Sequence, residues 1–181
     1  MKGSKVVQLR IQLVETEPLV WRRVLVPLDF KLSKLHELIQ VVMGWNASHL
    51  YEFRFGADQF GPEGNKSDKS IKLTDLIKDE CQKFSYIYDF GDHWEHEIIV
   101  EKISNADLGF RYPICTGGES ACPPDDCGGI PGYNELKEKI ARDPRDKERI
   151  ETMRWLGGFF DPNAFDPNQV NRNFLWHWDW K

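Results

Sequence analysis

The 181-residue sequence predicts an α+β fold: a mixed, mainly antiparallel sheet built from two hairpins plus one further strand, covered by a helix, with a helical C-terminal part. Three observations predict it. Val7, Leu9, Ile11 and Leu13 alternate with polar residues at the period of a half-buried strand. Leu35, Leu38, Ile39, Val42 and Met43 recur at helical spacing. Three Asp-Pro pairs crowd the last third of the chain, where an acidic cap followed by proline favours helix starts.

Each element follows in order. Lys5 to Val14 and Val20 to Val26 are β-rich runs joined by a short ETEP link, which predicts the first hairpin. Ser33 is placed to cap the covering helix and Gly44 to end it. His49 to Phe55 alternates again, with His49, Tyr51, Phe53 and Phe55 on one face of a further strand. The polar stretch GADQFGPEGNKSDKS, residues 56 to 70, has no period and predicts a functional or mobile loop. A short amphipathic piece follows at Leu73 to Ile77.

FSYIYDFGDHWEHEIIVEKI, residues 84 to 103, predicts the second hairpin. Phe84, Tyr86 and Tyr88 share one face of its first strand; Trp94, His96, Ile98 and Val100 share one face of its second. A one-residue slip would send these sets to opposite sides, so the loop must be odd, three or five residues long, with Gly91 relieving the turn. Beyond it, helices or helical turns are expected at Asp143-Pro144, Asp161-Pro162 and Asp166-Pro167, and Gly157-Gly158 stops one of them. The tail NFLWHWDWK, with Trp176, Trp178 and Trp180, suits core or interface packing better than base stacking, because His177 and Asp179 supply no positive groove.

Composition limits function. With 40% hydrophobic and 13% aromatic residues, the chain is expected to close one core, a single domain over 1–181. No apolar stretch has the length of a membrane span, and no signal-type segment opens the chain, so a cytoplasmic location is expected. The net charge of -5 disfavours phosphate polymers. Residues 135–154 carry seven basic and six acidic side chains, a solvated helical surface and not a basic patch.

Two groups of residues could carry chemistry. Cys115, Cys122 and Cys127, spaced C-x6-C-x4-C, lack the paired C-x2-C knuckles of a strong zinc signature. With His96 or His93 as fourth ligand they would complete a tetrahedral zinc shell, and zinc is the one cofactor the residues suggest. The other readings are a rigid corner frozen by Pro123-Pro124 and Gly128-Gly129, with Asp125 and Asp126 capping backbone amides, or a disulfide. The second group is the hairpin tip, where Asp89, Asp92 and His96 offer carboxylates and an imidazole for acid-base work or for holding a divalent ion, with His93 beside them. No nucleophile elbow, phosphate loop, dinucleotide fingerprint or HExxH helix occurs.

YIYDFGDHWEHEIIVE at 86–101, PPDDCGGIPGY at 123–133, FDPNAFDPNQVN at 160–171 and, more loosely, MGWNASHLYEF at 43–53 resemble the plasmid pRiA4b ORF-3-like proteins, some of which carry the label TnpR-like resolvase. The resemblance implies an α+β fold, an uncharacterised function and a link to plasmids or mobile elements. The chain departs from the family pattern at Asp125, where glutamate is common, and at Tyr51, where a second histidine is common. Resolvase chemistry is not carried over, since a serine recombinase needs a nucleophilic serine among clustered arginines and a recognition helix. The expectation is a binding or accessory module for a protein or small ligand, acting at the DFGD tip and cysteine loop. The alternatives are a metal-dependent hydrolase or nuclease using Asp89, Asp92 and His96, and a structural zinc protein.

Overall fold

A computed structural model of the chain describes residues 4–177 except 63 and 65. Seven antiparallel strands form one sheet: β1 (Lys5–Leu13), β2 (Trp21–Pro27), β3 (Tyr51–Phe55), β4 (Asp58–Phe60), β5 (Lys83–Tyr88), β6 (Trp94–Asn105) and β7 (Ile114–Glu119), in the order β4-β3-β5-β6-β1-β2-β7. Five helices accompany it: α1 (Leu32–Met43), α2 (Leu73–Leu76), α3 (Gly129–Ile140), α4 (Lys147–Trp155) and α5 (Pro167–His177). The α+β class is therefore as expected, with β4 and β7 added at the two edges. Among the described residues no helix is long and apolar enough to cross a membrane.

One face of the sheet is the core. Val7, Leu9, Ile11 and Leu13 are buried and lie across from Val26, Val24 and Arg22 on one side and Val100, Ile98 and His96 on the other. Leu35, Leu38, Ile39 and Val42 of α1 are buried against the same cluster. The opposite face is polar: Arg23 pairs with Glu101 at 2.6 Å, Gln8 and Gln12 bond Glu101 and Glu97, and Arg10 and Arg23 lie over the Trp21 ring. Such one-sided burial is what alternating antiparallel strands produce.

The second hairpin has the five-residue loop that its aromatic pattern demands. Tyr88 pairs with Trp94, Tyr86 with His96 and Phe84 with Ile98, so both aromatic sets face the core. The strain lies elsewhere than expected: Asp89 (φ 54) and His93 (φ 55) adopt the left-handed conformation, and Gly91 does not. Short polar side chains tolerate that region best among non-glycine residues, which suits Asp89.

One further expectation is corrected, and others gain detail. Ser33 is not the cap of α1: the cap position is Lys31, and the first helical amides are satisfied by the backbone of the long loop, Leu32 N bonding Ile71 O and Ser33 N bonding Asp68 O. That loop is tied down at several points, since residues 58–60 form β4 and the buried Asp68 carboxylate accepts a hydrogen bond from Tyr51 OH. The Asp-Pro pairs behave as expected: Asp166-Pro167 opens α5, and Asp143-Pro144 and Asp161-Pro162 open single turns, with Asp146 N bonding Asp143 O and Ala164 N bonding Asp161 O, while α4 itself is capped by Asp146. The cysteines are carried by strand β7 and the turn that leads into α3. In the tryptophan tail, Trp176 is exposed, while Trp178 and Trp180 lie outside the described residues.

Candidate functional site

Three connections converge at one end of the sheet. The first leaves α1 at Gly44, which takes the left-handed cap conformation (φ 83) and turns the chain towards β3. Gln40 holds this turn, accepting Gly44 N through its carbonyl and Ala47 N through its side chain, and Ser48 N donates to Tyr88 OH. His49 is thereby placed just before β3. The second connection is the hairpin tip, where Asp89 N donates to Leu50 O and Asp89 Oδ1 accepts from Gly91 N at 2.9 Å. The third is the turn 120–128, anchored where Trp45 Nε1 donates to Pro123 O and Tyr88 OH to Asp125 Oδ2. In it Asp126, like Asp89, has positive φ (59).

His49, Asp89 and Asp126 meet here. One ligand-type atom from each lies within 4.8 Å of the others, and among the described residues this is the one such trio of histidine, cysteine and carboxylate groups. His49 Nδ1 is 3.7 Å from Asp89 Oδ1, and His49 Nε2 is 3.0 Å from Asp126 Oδ1. The second contact is close but not aligned as a hydrogen bond, so Nε2 is shut off from solvent without a hydrogen-bond partner. The Asp89 side chain is 11% exposed and His49 29%, whereas Asp126 is 70% exposed, so the cluster opens to solvent on the Asp126 side.

The other expected site residues go elsewhere. Asp92 lies at the tip, but its Oδ2 accepts Gly128 N at 3.0 Å instead of joining the trio. His96 is a core residue: its Nδ1 lies 3.0 Å from Trp94 O and 3.2 Å from Tyr86 O, both acceptors, so Nδ1 carries the proton. Burial lowers its pKa to about 4, against the raising effect of those two carbonyls. The set Asp89, Asp92 and His96 is thus not gathered around one point.

Nor are Cys115, Cys122, Cys127 and His96. Cys115 is on β7, with its thiol towards Gly117 O, and the other two thiols pack against the core. Burial pushes all three thiols up, which keeps them protonated at neutral pH. All four cysteines are free, with no disulfide among them.

Sequence reasoning placed His49 on a strand face and read Asp126 as a backbone cap. The missing step was the choice of neighbour for β3. Tyr51 pairs with Tyr88 and Phe53 with Tyr86, and continuing that register brings Leu50 to Asp89 and His49 to the tip. No local signal marks Asp126, whose position depends on the docking of a distant turn.

Fold and cluster together define an α+β chain with a candidate cation-binding end. The chain belongs to the plasmid pRiA4b ORF-3-like protein family, whose pattern matches residues 5–169. It is similar to the uncharacterized protein y4hQ of Sinorhizobium fredii, with 40% identity over 177 residues, 93% of this chain and 90% of that one. It is also similar to the crystal structure of MM3350, a protein of unknown function from Methanosarcina mazei Go1, with a TM-score of 0.85, 38% identity and coverage of 93% of this chain and 98% of the other.

Proposed function

We propose that the chain is a divalent-cation-binding module in which His49, Asp89 and Asp126 hold one ion at the meeting point of the hairpin tip and the cysteine-bearing turn. The observation that carries this reading is the His49 Nε2 to Asp126 Oδ1 approach at 3.0 Å without hydrogen-bond alignment. Two ligands about 2.1 Å from one ion are about 3.0 Å apart at the right angle of an octahedral shell and about 3.4 Å apart in a tetrahedral one, so a shared cation accounts for an otherwise unsatisfied buried nitrogen. Asp89 Oδ1, 3.7 Å from the other ring nitrogen, completes the set by moving in towards the ion.

One imidazole and two carboxylates suit Zn2+ or Mn2+, and the absence of thiolate from the trio removes the preference for soft ions. Elemental analysis of protein equilibrated with Zn2+ or Mn2+ and then desalted tests the reading. One ion per chain is expected, lost in His49→Ala and in Asp126→Ala. No ion above the level of the two variants would reject it.

A second reading, metal-dependent hydrolysis, is favoured by the three-ligand count and the exposed Asp126 side, since catalytic metal sites keep a position open for water. It replaces Asp92 and His96 with His49 and Asp126 in the ligand set. Turnover of a generic ester or phosphodiester that requires the added ion and disappears in His49→Ala would separate it from simple binding.

A further inference from the structure

Asp89 and Asp126 belong to connections 37 positions apart in sequence, and something must hold them in one geometry before an ion arrives. Asp92 is placed to do this. Its Oδ2 accepts the Gly128 amide at 3.0 Å, two residues after Asp126, while Asp92 sits three residues after Asp89. Behind that bond the backbones touch: a Cβ on Gly129 would lie 2.6 Å from Asp92 O, and Gly129 has φ 66. Gly128, at φ 91, is also left-handed. Two consecutive glycines therefore serve the same approach, one supplying the amide and the other the clearance.

We infer that Asp92 is a positioning residue of the cation site, a latch that fixes the Asp126 turn against the Asp89 tip through the Gly128 amide. The inference rests on the cation reading and adds to it a residue that touches no ion. An oxygen accepting a backbone amide at this distance is a bond of well-defined direction, and partners behind metal ligands typically set affinity within 10- to 100-fold.

Mn2+ alone is the probe, titrated into the full chain and followed by the paramagnetic resonance signal of free Mn2+. Asp92→Ala is expected to weaken binding by roughly 10- to 100-fold, while Asp92→Asn, which keeps an acceptor oxygen for Gly128 N, stays within roughly threefold of wild type. Gly129→Ala attacks the same contact from the other side and is expected to weaken binding too. Hydrogen exchange at the Gly128 amide, measured without metal, should accelerate in Asp92→Ala and remain slow in Asp92→Asn.

Wild-type binding unchanged in Asp92→Ala would overturn the latch and leave the cation site standing. Equal weakening in Asn and Ala variants would also overturn it, by showing that charge and not the hydrogen bond matters. No Mn2+ binding by the wild-type chain would remove the cation site and the latch together.

Discussion

His36 and His96 are imidazoles that the fold keeps neutral. His36 Nδ1 lies 2.7 Å from Tyr86 OH, which also accepts a hydrogen bond from Gln40 Nε2 at 3.0 Å. The His36 ring stacks on Tyr51 at 3.5 Å, and burial lowers its pKa to about 4 despite the opposing pull of Asp68. His96 is lowered to about 4 by burial as well. Unfolding returns both to about 6.5, so the unfolded chain binds more protons between those values. Stability contributed by the neutral rings is complete above pH 6.5 and is lost as pH falls towards 4, on the order of 3 kcal/mol per ring. Urea unfolding at pH 7.5 and pH 4.5 should show a clearly lower midpoint at the acid value. His36→Gln and His96→Gln, each destabilised at neutral pH, should show a smaller acid loss. A midpoint flat between these two pH values would contradict the assignment.

At the scale of elements, Arg22 ties several pieces together. Its Nε donates to Val42 O at the end of α1, its Nη1 donates to Trp21 O and Glu119 O at 2.8 Å each, and its guanidinium lies 4.1 Å from the Phe165 ring centre. Burial lowers its pKa, with Cys122, Cys115 and Tyr133 acting in the opposite sense. Arg22→Met keeps most of the stem volume but strands three carbonyl acceptors, and should cost roughly 2–4 kcal/mol in urea unfolding. A loss under about 1 kcal/mol would mean that water reaches those carbonyls.

The same scale explains what was legible in the sequence. The hairpin register of β5 and β6 could be read because Phe84, Tyr86 and Tyr88 have only one way to reach the same side as Trp94, His96 and Ile98. Strand β7 could not, because Gly117-Gly118 cut short the β-branched start at Ile114 and Thr116, and it forms by pairing with the free edge of β2. Gly118 permits the close approach of Phe165, where a Cβ would lie 2.6 Å from the ring, and Asn171 bonds both Cys115 N and Cys115 O. Of the candidate site, Asp89 was visible as a tip carboxylate. His49 and Asp126 were not, since their meeting depends on which strands become neighbours and on where a turn docks.

For the whole molecule, the one-sided sheet sends its connections around the buried face, and three of them arrive at the same end. The cation reading therefore follows from topology as much as from residue type: β3 beside β5 delivers His49 and Asp89, and the turn entering α3 delivers Asp126. The most direct measurement is anomalous diffraction at the metal edge from crystals grown with Zn2+. The predicted result is a single strong peak bonded to His49, Asp89 and Asp126 and absent in crystals of His49→Ala. A peak among Cys115, Cys122 and Cys127, or none at the hairpin tip, would contradict the account.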